Sequence, residues 1–457
     1  MRRDAPRSLR ISQVGLRGVV GAGLTASHVL DFSTAFGTFL ETGGPVIAGR
    51  DPRASGAMMR HGVIAGLLAC GHDVIDLGVV STPVIQHAIR RLDAAGGISI
   101  GASHNSAEWN ALKFFGPQGT YLSTAEADEL LDIYHLKKFN LVEWNRMGKL
   151  RIESGAIDLY LDELARHFDF DALRQFKIVV DCCNGTSSLL LRRLNERFGF
   201  RFILINERIE TAAFAHEPST TRKMVALQLA PIVPPVGAGA GFLFDVDSDR
   251  VAMATEEGEP VSEEMVLPLL ADHQLARGTG RLVITNLSST ALVEEIAGRH
   301  RGRVVRVPVG RQAAMDALAT FPAGEIAIAG EGTGAVMLPQ FRFVYDGIAA
   351  MLGILTMMRE RGRKLSEILA GYPRYSILKG EVPLVTQRIP ALLADLQSRY
   401  AGGEANTIDG LRVDWADRWF HVRVSQTEPA VRIICEQRGE PPQALFEELV
   451  EGVRRFT

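Results

Sequence analysis

The sequence predicts an α/β protein that ends in a smaller α+β unit, and three observations predict it. Short β-rich runs recur along the chain, each closed by glycine or polar residues. Amphipathic stretches of helical period lie between them. Near the C-terminus two strand-like runs follow one another with no helix between. At 457 residues the chain is too long for one ordinary core, and length alone suggests about three or four domains.

Taken in order, the expected strands are Val46-Ile47-Ala48, Val74 to Leu77, Ile98-Ser99-Ile100, Lys177 to Val180, Gly241 to Phe244, Leu282-Val283-Ile284 and Ile326-Ala327-Ile328. The stretches Ala57 to Ala69 and Met265 to Ala276 have the apolar spacing of helices packed on such strands. Arg418 to Ser425 and Ala430 to Gln437 read as paired strands, and Pro442 to Arg455 as a closing helix. Polar or Pro/Gly-rich stretches at Glu143 to Ser154, Glu256 to Pro260 and Gly371 to Pro373 mark boundaries, giving expected domains 1–150, 151–255, 256–371 and 372–457. Pro231 to Gly241 reads as a loop inside the second of these.

Hydrophobic residues make up 46% and charged residues 23%, an ordinary globular balance. With 50 Lys and Arg against 53 Asp and Glu, the charge of -3 gives no electrostatic reason to expect a nucleic-acid or membrane partner. Any anion must be bound by a local arrangement. Cys70, Cys182, Cys183 and Cys435 have no metal-ligand spacing, the N-terminus carries no apolar stretch of a signal, and Gly347 to Met358 is too short to span a bilayer, so a reducing cytoplasm is expected.

Five segments could carry chemistry. In Gly97-Ile98-Ser99-Ile100-Gly101-Ala102-Ser103-His104-Asn105 a strand runs into a small polar turn that presents one hydroxyl, with Lys113 nearby in sequence; a helix-capping turn is the plain alternative. Asp245, Asp247 and Asp249 alternate after the apolar run Phe242-Leu243-Phe244. Such crowded like charges need a cation, and hard oxygen donors without His or Cys point to Mg²⁺. A calcium loop fails for want of the glycine and later glutamate, while a solvated acidic turn stays open. Arg423-Val424-Ser425-Gln426-Thr427-Glu428-Pro429-Ala430-Val431-Arg432 is rich in donors, as a phosphate dianion requires, unless it is a surface hairpin. Gly330-Glu331-Gly332-Thr333-Gly334 follows a strand, and Glu331 suits sugar hydroxyls better than phosphate. Gly15-Leu16-Arg17-Gly18 sets an arginine between glycines. Two further segments read as plain turns: Gly49 to Gly56, capped by Ser55 or Asp51 with arginines that could help the local field, and Asp181 to Thr186 at a domain interface.

In this combination and order, the segments resemble the α-D-phosphohexomutase superfamily, from Gly15 to Arg432. The resemblance implies three similar mixed-sheet α/β domains and a smaller C-terminal α+β domain around a central cleft. It implies a phosphoserine at Ser103, Mg²⁺ held by Asp245, Asp247 and Asp249 with Ser103, and sugar recognition by Glu331 and Thr333. Arg423, Ser425, Gln426 and Thr427, with Arg432 closing the segment, match the phosphate-binding loop, and Arg17, His104, Lys113 and Arg250 match positions around the reacting phosphate. Lys113 or His104 is then the expected proton shuttle, and a hexose 1,6-bisphosphate the expected activator. The chain departs from the family at Ser106, where proline is usual, at Thr333, and at Ala335, where several relatives carry histidine.

The implied activity is interconversion of hexose 1- and 6-phosphates. The run Asn110 to Pro117 is most similar to phosphoglucosamine mutases, with glucose and mannose phosphates open. Two rivals are a binding relative without turnover and a phosphatase of the haloacid dehalogenase type with Asp245 as nucleophile; the latter lacks the threonine expected two residues after Asp247. Hexose phosphates are the expected partners, and oligomeric state is open.

Overall fold

The computed structural model describes residues 9–40, 44–209, 213–384, 386–425 and 430–456. Four sheets follow one another along the chain. The first has the spatial order Leu9–Ser12, Gly15–Val19, Trp109–Phe115, Gly96–Ile100, Val46–Arg50, Val74–Val79, Leu150–Ile152. Pairing is parallel from Gly96–Ile100 outward to Leu150–Ile152 and antiparallel on the other side, so the sheet is mixed.

The second sheet orders Val251–Thr255, Ala240–Phe244, Ile178–Asp181, Ile203–Ile205, and the third orders Arg303–Val307, Leu282–Asn286, Ile326–Gly330, Val336–Met337. Each adds one antiparallel strand to a parallel set. Central strands such as Gly96–Ile100 and Ala240–Phe244 are buried at every position, which explains why they read as unbroken apolar runs. The fourth sheet, Tyr375–Pro383, Ala430–Arg438, Arg418–Val424, Leu411–Asp414, Glu404–Asn406, is antiparallel throughout and carries the helices Ile389–Arg399 and Gln443–Arg454.

Each expected strand coincides with an observed one, although Ile178–Asp181 begins after the expected Lys177 and Arg418–Val424 ends before Ser425, and the expected helices form as Gly56–Ala69, Val266–Ala276 and Gln443–Arg454. The apolar run from Gly347 becomes the helix Gly347–Arg361, capped by the Asp346 carboxylate on Ala349 N and closed by left-handed Gly362. Among the described residues no helix is long and apolar enough to cross a membrane. One stretch read as a boundary does more than link. Residues 143–154 supply Leu150–Ile152, which joins the first sheet beside Val74–Val79.

Packing separates the C-terminal unit from the rest. One continuous apolar cluster, including Ile47, Tyr160, Phe242, Leu269 and Ile328, runs through the first three units. The fourth sheet keeps a core of its own, with Leu392, Phe420, Val422 and Leu449. Its contacts with the third unit include polar ones. Glu436 accepts from Ala291 N at 2.7 Å, Asp409 accepts from Val309 N at 2.9 Å, and the Ser288 hydroxyl lies 2.8 Å from His421 Nδ1.

Candidate active site

Ser103 is delivered by the strand Gly96–Ile100 at its C-terminal end, and its φ of 48° places a non-glycine residue in the left-handed region. Such strain persists only where the surroundings fix it. Here the fixing group is Arg53. Its five N–H donors all find acceptors: Nε gives to Asp51 at 2.9 Å, Nη2 to Ser103 O at 2.8 Å and Asn105 O at 2.7 Å, Nη1 to Ser106 O at 2.5 Å and Trp109 O at 3.2 Å. The Asp51–Arg53 pair is fully buried. Gly101 is glycine for the same reason, because a Cβ there would stand 2.7 Å from the Asp51 carboxylate. The segment 49–56, read as a capping turn, is thus the support of the serine loop. Ser55 makes no capping bond; its hydroxyl accepts from Asn110 Nδ2 at 2.9 Å.

The aspartates occupy the turn between Ala240–Phe244 and Val251–Thr255, and all three are buried. The turn at 181–186 braces it, since Thr186 N donates to Val246 O at 2.8 Å. The Ser103 hydroxyl donates to Asp245. Lys113 Nζ donates to Asp247 and, at 3.3 Å, to Asp249. Thr82 Oγ1 adds a bond to Asp247 at 2.9 Å. Burial, with repulsion from the other two aspartates, pushes Asp245 well above the usual carboxylate range, and burial with Asp247 raises Asp249. Burial also works against the charge on Asp247, but the Lys113 ammonium outweighs it and holds that group low.

The donor set fits a hard divalent cation. One oxygen from each aspartate lies within 4.8 Å of the others, and Asp247 Oδ1 and Asp249 Oδ1 are buried without a hydrogen-bond partner. Carboxylates alone, with lone pairs left over, suit Mg²⁺.

Guanidinium groups converge on the same place. Arg17 donates to Asn105 Oδ1 at 2.9 Å, Arg250 Nη1 lies 3.2 Å from His104 Nδ1, and Arg311 Nη2 donates to Asp249 at 2.6 Å. Burial and the repulsion of Arg311 and Arg250 pull Arg17 down to about 10. Arg250 Nε and Arg311 Nη1 are buried donors with no acceptor. Cations that repel one another while holding spare N–H groups constitute a place for an anion. Since a guanidinium can only donate, His104 Nδ1 accepts from Arg250. Arg250 and burial keep His104 neutral, leaving Nε2–H as its donor.

A cavity of about 340 Å³ lies between the third and fourth units, lined by Glu331 and Thr333 on one side and Arg423 and Arg432 on the other. Those arginines are directly opposed across neighbouring strands, an unfavourable pairing that an anion would relieve. Asp409 holds Arg423 at 3.2 Å and Glu381 holds Arg432 at 3.3 Å. Ser425 N donates to Ala430 O at 2.8 Å, closing the hairpin base, while Gln426 and Thr427 lie outside the described residues. Glu331 joins this cavity to the guanidinium cluster: Tyr345 OH donates to it at 3.3 Å, and its charge acts on both Arg250 and Arg311. Gly332 must be glycine, because a Cβ would stand 2.0 Å from Glu264. Of the family departures, Thr333 Oγ1 donates to Glu331 at 3.4 Å, and Ala335 is fully buried with its carbonyl on Glu331 N at 2.9 Å.

Sequence reasoning missed Thr82, Arg311, Glu264 and Lys379, the last bonded to Glu264 at 2.7 Å in the cavity wall. The helix-start pattern Ser81-Thr82-Pro83 was the available signal for Thr82. The sequence-designated Ser103, His104, Lys113, Arg17, Arg250 and the three aspartates form one constellation, Glu331, Thr333, Arg423 and Arg432 line the cavity beside it, and Ser425 closes the base of the hairpin that carries the two arginines.

Known proteins match most of the chain. Models of the phosphoglucomutase/phosphomannomutase alpha/beta/alpha domains I, II and III match residues 10–141, 158–258 and 262–375. A Thermococcus kodakarensis phosphoglucomutase/phosphomannomutase is 32% identical over 95% of this chain and 96% of its own. A Sulfurisphaera tokodaii phosphoglucosamine/phosphogalactosamine mutase is 29% identical over 93% of this chain and 94% of its own. Among solved structures, a phosphoglucomutase/phosphomannomutase family protein from Burkholderia thailandensis superposes with a TM-score of 0.83 at 26% identity, over 98% of this chain and 97% of that one. The chain belongs to the phosphoglucomutase/phosphomannomutase family, within the α-D-phosphohexomutase superfamily.

Proposed function

We propose that the protein is a phosphohexomutase that interconverts hexose 1- and 6-phosphates through a phosphoserine at Ser103, with glucosamine phosphate as its sugar and Mg²⁺ in the aspartate cluster. The observation that carries the reading is the meeting of a strained, buried serine with a buried three-carboxylate set and with guanidinium donors that have no acceptor.

In this reading the phosphoryl group on Ser103 passes to the free hydroxyl of a hexose monophosphate, and the proton of that hydroxyl ends on the Ser103 oxygen. The resulting bisphosphate turns round and returns its other phosphoryl group to Ser103. Asp245, Asp247 and Asp249 hold the cation, which when bound offsets negative charge on the transferring phosphate. Arg17, Arg250 and the Nε2–H of His104 hold the phosphate oxygens as charge moves between them. Lys113 keeps Asp247 ionised and in place. Arg423 and Arg432 hold the phosphate that is not reacting, and Glu331 and Thr333 bond the sugar hydroxyls, so either end of the bisphosphate is gripped in turn.

Glucosamine phosphate is favoured by Glu331, the cavity-wall carboxylate left as an acceptor for an ammonium among the described residues, since Glu264 is paired with Lys379 and Glu381 with Arg432. It is also favoured by relatives named probable phosphoglucosamine mutase, such as one from Pyrococcus abyssi at 32% identity. Glucose and mannose phosphates form the second reading, supported by the name of the Thermococcus relative.

The test is turnover of glucosamine 6-phosphate, glucose 1-phosphate and mannose 1-phosphate side by side, with intact mass of the purified protein. We expect interconversion fastest for glucosamine phosphate and one phosphate on Ser103. Hexose phosphate binding without exchange, or a phosphate trapped on Asp245, overturns the reading.

A further inference from the structure

A second cavity, of about 380 Å³, lies at the seam between the first and third units, away from the serine loop. The first unit contributes Arg90 and Tyr121, and the third contributes Met315, Leu318, Arg342 and Val344. The seam is tied beside it by Thr124, whose hydroxyl donates to Asp316 at 2.5 Å. Its polar groups are mostly donors. Arg342 and Tyr121 are each 5% exposed, and Arg342 Nη2 and the Tyr121 hydroxyl are buried without a hydrogen-bond partner. Arg342 Nη1 reaches Pro83 O at 3.3 Å, and Arg90 stands exposed at the rim. The wall carboxylate, Glu126, is already taken by the backbone and hydroxyl of Ser123, at 2.7 and 2.8 Å. Guanidinium and phenol donors facing an apolar wall call for an organic anion, and the volume suits a small one.

Two wall helices lead from this cavity to the aspartate cluster. Thr82–Arg91 carries Arg90 at one end and, at the other, Thr82 on Asp247 at 2.9 Å. Arg311–Thr320 carries Leu318 and begins with Arg311, which donates to Asp249 at 2.6 Å and lies 4.7 Å over the ring of Tyr121. Tyr121 therefore faces both the cavity and the residue that holds Asp249.

We propose that this seam cavity is an effector site for a small organic anion, a carboxylate or phosphate ester on an apolar body, coupled through Tyr121 and Arg311 to the aspartate cluster. The site is separate from the sugar-phosphate cavity, so its existence does not depend on which hexose the protein uses.

The probes are phenyl phosphate and phenylacetate, titrated calorimetrically into the full chain carrying Arg423→Ala, which removes the main phosphate grip of the other cavity. One-to-one binding is expected. It should weaken about tenfold or more in Ala319→Trp, which fills the cavity from its rim, and in Arg90→Leu, which removes the rim cation. Stronger binding of phenyl phosphate assigns a phosphate ester, and stronger binding of phenylacetate a carboxylate. Absence of binding by both probes, or binding that both variants leave unchanged, overturns the site. The coupling is read from Mn²⁺ affinity with and without the bound probe. A shift of about twofold or more, matched by the same shift in probe affinity with and without Mn²⁺, is expected from linkage; an unchanged Mn²⁺ affinity overturns the coupling.

Discussion

Around Ser103 the charged side chains are buried and tied to one another, whereas the cavity beneath the fourth sheet is open, with the side chain of Arg432 44% and that of Lys379 38% exposed. The reacting half belongs to units that share one apolar core, so its parts are held in fixed register. The gripping half lies between the third unit and a fourth with its own core. The difference fits a reaction in which the chemistry stays in one place and the sugar turns. A dry, crowded site strengthens every charge interaction on a transferring phosphate. On the proposed reading the more open site receives either end of the same bisphosphate, so it cannot be moulded to one.

The largest break between the halves should come from Ser103→Ala. Intact mass should show the phosphate gone, and kcat should fall by about a thousandfold or more, because the nucleophile itself is lost. Binding of hexose phosphate, measured by calorimetry, should change by less than about threefold. Removing divalent cations with a chelator should reproduce that split. A matching collapse of binding would show that the halves are not independent.

Arg53→Met probes whether the reacting half is held or merely folded nearby. It leaves the Asp51 carboxylate buried without its cation and four loop carbonyls without donors, a loss of about 3–5 kcal/mol by analogy with broken buried pairs. The serine should drift from its strained conformation, and kcat should fall about a hundredfold with KM little changed. Thermal melts establish that the variant is folded. Unchanged kcat in a folded variant would remove Arg53 from the support of the loop.

Arg423→Ala tests the other half. Loss of a charge-assisted grip on a phosphate costs about 1.5–3 kcal/mol, so KM should rise about 10- to 150-fold. Affinity for Mn²⁺ should stay unchanged. A change confined to metal binding would place Arg423 in the wrong half.

What could be read from the sequence follows the same division between local and distant. Strands buried on both faces announce themselves as apolar runs, and the serine and aspartate loops lie at the ends of such runs. Leu150–Ile152 has no such pattern, since all its residues are exposed and it is recruited by its partner strand. Arg53 meets the serine loop across about fifty residues, Thr82 meets Asp247 across 165, and Arg311 meets Asp249 across 62. Nothing near Arg53 in the sequence distinguishes it from an arginine beside a helix cap. The fold alone brings it to the carbonyls, which is why a residue central to the loop read as a minor one.

The smallest effect is expected at Ser106, where the family's usual proline is missing. Its hydroxyl donates to exposed Glu108 at 2.8 Å, a bond that contributes little in water. Its carbonyl, by contrast, takes the Arg53 donor, and any residue supplies a carbonyl. Stiffness that proline would lend by restricting the backbone is here supplied from outside, by a buried guanidinium that gathers four carbonyls of the loop. Ser106→Ala should therefore leave kcat and KM within about twofold and shift stability by less than about 0.5 kcal/mol. A loss of kcat comparable to that of Arg53→Met would mean that the loop is held through its side chains, and the contrast between a fixed reacting half and an adaptable gripping half would have to be redrawn at this residue.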